Sequence, residues 1–322
     1  MATVPAAEVP ARTLRLSQDG PVLTVLVDAP PHHYMTAAMQ LDLLNVVRAV
    51  ETDDTVRSVV VTGATAGRYI THYDIGDLHA AAEAAPLLPA PVARLLVRGA
   101  RALTSIGGDR MLSRSRLAGV LAITRFHELV TRLLRSRAVW IAAIDGPCGG
   151  GGLELSVFFD VRLASESATF ILPELSIGLT TTVGAQRLAH LMGPARALEM
   201  MLEARQYSAP EARGRGLISD VVPADRLPAE AHARAARYAR RSGRALAAQK
   251  RIINNAYDVG LRQGLTAEGV AQMTGVPTPG TRALLTRWLE MQAPDGESVF
   301  LTHPEPWADG TALEPHVTGP GR

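Results

Sequence analysis

The stretch CGGGGLELSVFFD, residues 148–160, sets four glycines against a glutamate and then a wholly apolar turn. It follows AVWIAAIDG, residues 138–146, a short apolar run that reads as a buried strand. A glycine run between a strand and a helix start leaves backbone N–H groups facing a cleft with no side chain in the way. Two uses compete for such a run. A phosphate cradle needs the P-loop spacing with a Lys and a Ser or Thr, and GGGGLELS has no lysine. An oxyanion hole needs only an amide aimed at a carbonyl oxygen as it gains charge, best at a helix N-terminus. The missing lysine favours the second.

Glu154 follows within the first helical turn, where the helix dipole favours a carboxylate. Further on, ATFILPELSIGL, residues 168–179, sets Glu174 after a proline at the end of a predicted strand. An acid in so apolar a setting is either paired with a cation or kept for proton transfer. Two acids on neighbouring turns would hold a water or a carbon acid between them. Spacing alone does not bring them together.

Outward from this centre, strands and helices alternate. TLRLSQDGPVLTVLVDAP, residues 13–30, alternates apolar and polar residues on both sides of an Asp-Gly turn and predicts a hairpin. TAAMQLDLLNVVRAVETDD, residues 36–54, has helical spacing with Thr36 placed to cap. VRSVVVTGA, residues 56–64, reads as a buried strand, with further strands expected in 160–173 and 217–223. Helices are predicted at 183–204, 209–215, 226–258 in two pieces, and 278–292. The fold class is α/β. Residues 1–11 read as a flexible arm and 293–322 as an extended tail.

The chain has 322 residues, 47% hydrophobic and only 4% aromatic, so one large domain with an aliphatic core is expected. A net charge of +2 makes no case for a nucleic-acid partner, although nearly all the basic residues are arginine and Lys250 is the one lysine. Residues 94–137 carry ten arginines against two acids, Asp109 and Glu128, which reads as solvated helix faces or as an electropositive lid. The single cysteine, Cys148, excludes an intrachain disulfide and a Cys-rich zinc site and points to a reducing, cytoplasmic setting. No window reaches the roughly 18 apolar residues of a spanning helix.

Taken in order, AVWIAAIDGPCGGGGLELSVFFDVRLASESATFILPELSIGL and the later GAQRL resemble the central signature of the crotonase superfamily, the enoyl-CoA hydratases and isomerases. VRSVVVTGATAGRYITHYDIGDL is similar to its first oxyanion strand and loop. The resemblance implies a spiral of repeated ββα units over 12–225, with an inserted basic helical segment at about 84–118. A C-terminal helical region at 226–292 would build a homotrimer or a dimer of trimers. It also implies an acyl-CoA substrate, coenzyme A entering only as part of that substrate, and no tightly bound cofactor. Gly151 and Tyr73 would supply the two oxyanion N–H groups, and Glu154 and Glu174 the acid–base pair.

The chain also departs from the family pattern. Its oxyanion loop reads Thr71-His72-Tyr73-Asp74, with His72 in place of a glycine and Tyr73 in place of a small residue. Backbone N–H groups survive that change, but the pocket wall does not. Thr180, Thr181 and Thr182 make the loop after Glu174 more polar than a fatty acyl chain calls for, and His33, Tyr34 and Met35 rebuild another wall. His32 and His33 read as surface residues and not as metal ligands, and Cys148 as packing and not as a nucleophile. The alternatives are a CoA-independent crotonase-fold lyase, hydrolase or isomerase acting on a ketone-type substrate, and a non-catalytic oligomeric scaffold.

Overall fold

The computed structural model describes residues 4–84, 86–105, 118–292, 296–302 and 304–311. The inserted segment is described only in part, since 106–117 and its Asp109, Arg110, Arg114 and Arg116 lie outside those residues. The Asp-Gly hairpin forms as expected. β1 (Leu14–Asp19) and β2 (Val22–Val27) are antiparallel, with Gly20 at φ 52° in the turn between them. Helix α1 (Ala37–Thr52) follows, and the Thr36 side chain accepts from the Met39 N–H at 3.2 Å.

Strands β3 (Ser58–Gly63) and β4 (Val139–Ile144) enclose the helical stretch α2 (Ile75–Ala84), α3 (Ala90–Ser105) and α4 (Ala118–Arg135). Part of the basic excess there is already paired. Arg132 bonds Glu128 and Glu51, and Arg48 of α1 bonds Glu128 at 2.9 Å, tying α1 to α4. β5 (Pro147–Gly149) leads into α5 (Gly150–Ser156), then β6 (Val161–Ser165) and β7 (Thr169–Ile171). The expected helix at 183–204 is two, α6 (Ala185–Met192) and α7 (Pro194–Glu203), because Gly193 at φ 86° and Pro194 end one and start the other. β8 (Tyr207–Ser208), α8 (Ala209–Gly214) and β9 (Asp220–Val222) complete the sheets. Helices α9 (Leu227–Ala239), α10 (Gly243–Asn254), α11 (Leu261–Gly275) and α12 (Pro279–Met291) follow.

The main sheet has the order β1-β2-β3-β4-β6-β9 and is parallel from β2 onward. Both faces are covered, which is why its strands read as unbroken apolar runs. Val139, Ile141 and Ala143 face Leu227, Ala231 and Ala235 of α9, whose small alanines let the helix lie close. Trp140, Ala142 and Ile144 face the larger core, with Leu43, Leu44 and Val47 of α1 and Phe126, Leu129 and Leu133 of α4. Each such aliphatic side chain contributes about 1.5–3 kcal/mol by leaving water.

The second sheet, β5-β7-β8, positions the site. β5 and β7 are parallel with Gly149 opposite Ile171, so the start of α5 and the Pro173–Glu174 turn leave the sheet side by side. Asp160 and Arg162, the conspicuous charged pair after α5, are structural. Asp160 accepts from the Trp140 N–H at 2.8 Å and from Lys250 Nζ at 2.7 Å, and buried Arg162 donates to the carbonyls of Leu217 and Phe159.

Three expectations are corrected. Residues 6–8 form a short 3-10 turn, not a loose arm, because Ala6 is fully buried and its N–H meets Asp53 at 2.8 Å. The tail holds two short helices, Val299–Thr302 and Glu305–Asp309, with Arg240 and Arg241 bonded to the carbonyls of Asp309, Trp307 and Ala308. His33 is buried at 2% exposure.

Candidate active site

The four glycines are explained by what lies on them. A Cβ on Gly149 would come 3.0 Å from the Thr71 carbonyl oxygen, and one on Gly152 would come 2.0 Å from that of Ile70. One on Gly151 would meet the Tyr73 ring at 2.5 Å, and one on Gly150 would meet Glu174 Oε1 at 2.9 Å. The 70–73 segment therefore packs directly on a bare helix start, and the Gly149 N–H bonds the Thr71 carbonyl at 2.6 Å. Residues larger than glycine would push the two apart.

His33 and Met35 act through their backbones. The Thr71 N–H donates to His33, the Met35 N–H to His72, and the Asp74 N–H to Met35. This short parallel bridge uses the groups of His72 and Asp74 and leaves the Tyr73 N–H on the opposite edge. Gly149 caps α5 with no side chain, so the first amides of the helix look outside it. Among the described residues, no acceptor is paired with the N–H of Tyr73 or of Gly151.

Glu154 is buried at 1% exposure and accepts from the N–H groups of Thr182 and Val183, each at 3.1 Å. Burial pushes its carboxyl up to about 8, the nearby Glu174 charge adds to this, and the two amides oppose it. Glu174, half-buried at the head of a 3-10 turn (Glu174–Ile177), is raised mainly by burial, and its Oε2 is buried without a partner. The His72 charge pulls in the opposite direction. The Glu174 charge thus reaches the Glu154 carboxyl beside the helix start.

Tyr73 lies within reach of both carboxyl charges. Its ring lies on Gly151 and edge-on to Phe126 at 5.9 Å, and its hydroxyl accepts from Gln40 Nε2 at 2.9 Å. Burial holds the phenol in its neutral form, reinforced by the charge of Glu154. His72 stacks on Tyr34 at 4.4 Å and donates from Nδ1 to the Tyr73 carbonyl at 2.5 Å; Tyr34 stacks in turn on His32. Thr181 and Thr182 are half-buried and Thr180 is exposed, so of the three threonines only Thr182 reaches Glu154. Cys148 is buried, with its thiol pushed up to about 12 by burial, which removes it as a nucleophile.

A cleft of about 380 Å³ opens on the far side of the 181–184 segment, lined by His127, Arg187, His190 and Asn254 among others. Neither carboxyl lines it, because the Thr182–Val183 backbone stands between. Among the described residues, no cluster of three His, Cys, Asp or Glu could hold a metal ion, and no helix is long and apolar enough to cross a membrane. Sequence reasoning missed Gln40, Phe126 and His127. Only Gln40 had a signal, as a polar residue inside an apolar helical face.

The enoyl-CoA hydratase/isomerase family model matches residues 109–295, more than half of the chain. The chain belongs to the enoyl-CoA hydratase/isomerase family. Within it, "Probable enoyl-CoA hydratase echA8" of Mycobacterium bovis is 35% identical over 164 residues, covering 51% of this chain and 64% of that protein. The chain therefore aligns with somewhat less than two thirds of that relative's length. "Probable enoyl-CoA hydratase echA12" of the same organism is 33% identical over 242 residues, covering 74% of this chain and 75% of that one. A chain from Thermobifida fusca YX, described as "a putative enoyl-CoA hydratase" and solved with acetoacetyl-CoA, superposes with TM-score 0.66 at 27% identity. That superposition covers 85% of this chain and 98% of the other. The crotonase fold expected from the residues is thus the observed one.

Proposed function

We propose that this family member hydrates or isomerises an enoyl thioester of coenzyme A, with Glu154 and Glu174 as its acid–base pair and the N–H groups of Gly151 and Tyr73 as its oxyanion hole. One observation carries this reading: two carboxyls, both raised by burial and the Glu154 carboxyl raised further by the Glu174 charge, flank a helix start whose Gly151 amide has no protein acceptor among the described residues. Relatives named as hydratases and a neighbour solved with acetoacetyl-CoA support the thioester class. No resident cofactor is needed for this chemistry.

The two acids differ as the reaction requires. Glu154, almost fully buried, keeps its proton near neutral pH, and Glu174, more open and with the His72 charge opposing its burial, is assigned the role of base. In hydration, Glu174 takes a proton from water as the water oxygen bonds the β-carbon. The double-bond electrons move onto the thioester oxygen, where the two amides stabilise them. Glu154 then gives its proton to the α-carbon as the carbonyl re-forms, so one water is added across the double bond. Loss of one aimed oxyanion donor typically costs about 100- to 1000-fold.

Residues 226–292 are read as the subunit-contact region of a homotrimer or dimer of trimers. Leu261, Leu265, Met273 and Leu289 stand exposed on α11 and α12 of the single chain, and sedimentation tests this. The activity is tested by loss of the conjugated enoyl-thioester absorbance across a panel of acyl-CoAs. Turnover is expected; no turnover together with no CoA binding overturns the proposal. A second reading, CoA-independent chemistry on a compact ketone, is favoured by the Tyr73 ring over Gly151. Tight CoA binding by calorimetry would remove it.

A further inference from the structure

Glu154 is connected beyond the two amides that hold it. The Val183 N–H that donates to its Oε2 at 3.1 Å belongs to the same peptide group as the Thr182 carbonyl, and that carbonyl lies 3.2 Å from His127 Nε2. On its other side, His127 Nδ1 is 2.6 Å from Arg101 Nη2. A guanidinium can only donate, so Nδ1 accepts and the single ring hydrogen sits on Nε2, aimed at the Thr182 carbonyl. Burial, assisted by the Arg101 charge, keeps His127 below its ordinary range and therefore neutral. A peptide group that accepts at its oxygen donates more strongly through its N–H.

We propose that His127 is a positioning residue for Glu154: its Nε2–H, fixed by Arg101, polarises the Thr182–Val183 peptide, whose N–H holds the Glu154 carboxyl. The consequence rests on Glu154 being the proton donor. When its proton leaves for substrate carbon, charge develops on an oxygen that already faces a strengthened N–H donor. Arg101 lies on α3, in the basic segment, so that segment has a direct line to the site. The charged and titratable groups facing the relay are few. Glu174 of the 3-10 turn and Tyr73 of the 71–74 loop face Glu154. Around His127 stand Arg101 of α3, Arg187 and His190 of α6, and Asp258 beyond α10.

Two replacements separate the donor from the bulk of the ring. H127L removes the hydrogen bond and H127Q keeps an N–H donor. With H127L, turnover should fall about 3- to 10-fold at neutral pH, and the alkaline limb of the pH–rate profile should move up by about half to one unit. H127Q should restore both. The Glu154 carboxyl stretch, followed by infrared titration and assigned by its loss in E154Q, should show the same upward shift in H127L without any turnover. An unchanged Glu154 midpoint in H127L, or no recovery in H127Q, overturns the relay. If H127L does not fold, nitrogen resonances of the intact protein decide: a hydrogen on His127 Nε2 supports the proposal and one on Nδ1 overturns it. Full activity in E154Q would instead defeat the assignment of Glu154 as donor, while the infrared midpoint would still judge the relay.

Discussion

Glu174 lies over the bare Cα of Gly150, its Oε1 2.9 Å from where a β-carbon would stand. Gly150 is also at φ 43°, in the left-handed region that costs most residues about 1–2 kcal/mol. Gly150→Ala should therefore move the carboxyl and strain the helix start together. We expect thermal unfolding to drop by several degrees and turnover to fall at least about 100-fold, as removal of an acid–base group does. Turnover at the wild-type level would mean that Glu174 has no part in the chemistry.

Glu154→Gln tests both rate and stability. General acid–base loss predicts a fall in kcat of about 100- to 10,000-fold. The stability effect depends on pH. Folded Glu154 holds its proton up to about 8 and the unfolded group releases it near 4.5, so the folded state binds the extra proton between those values. Wild-type stability must fall as pH rises through that window, with the full cost present above about pH 8. The glutamine variant should lose this slope and be more stable at high pH by on the order of a few kcal/mol. Urea unfolding at acid and alkaline pH measures it.

Tyr73 combines a hydrogen bond with bulk. Tyr73→Phe leaves Gln40 Nε2 without its 2.9 Å acceptor and should cost about 1 kcal/mol, read from chemical denaturation. Tyr73→Ala opens the space above Gly151, and the ratio of kcat/KM for branched over short acyl thioesters should rise. A ratio that does not move would remove the ring from the pocket wall.

The Lys250–Asp160 pair ties α10 to the end of β4 and bears on folding. Lys250→Ala leaves partly exposed Asp160 beside the Trp140 N–H without its ammonium partner, at a cost below the about 3–5 kcal/mol of breaking a fully buried pair and above the about 1 kcal/mol of a surface one. Denaturant midpoints check this, and a loss below 1 kcal/mol would mean that water replaces the ammonium group.

Some elements were readable in the sequence because their causes are local. Asp19-Gly20 makes its turn from its own backbone preference, Thr36 caps the helix that begins beside it, and the glycine run announces a close approach. What approaches was hidden, since Ile70, Thr71 and Tyr73 lie some eighty residues earlier in the chain. The meeting of α5 with Glu174 depends on the β5–β7 register, a non-local pairing that periodicity does not encode. His127 gave no signal at all, because its importance lies in one carbonyl fifty-five positions away. Helix α11 went unread for the opposite reason. It contains Gly264, Gly269 and Gly275 and buries none of its residues within the chain, so neither propensity nor an apolar stripe marks it.

Because the only lysine is fastened to Asp160 and the Ala138 carbonyl, the exterior of the described fold offers no side-chain amine. Amine-directed crosslinkers, acylating reagents and carbamylation would find no lysine to attack until the protein unfolds. Reactivity of Lys250 toward such reagents would therefore serve as a built-in reporter of opening around α10.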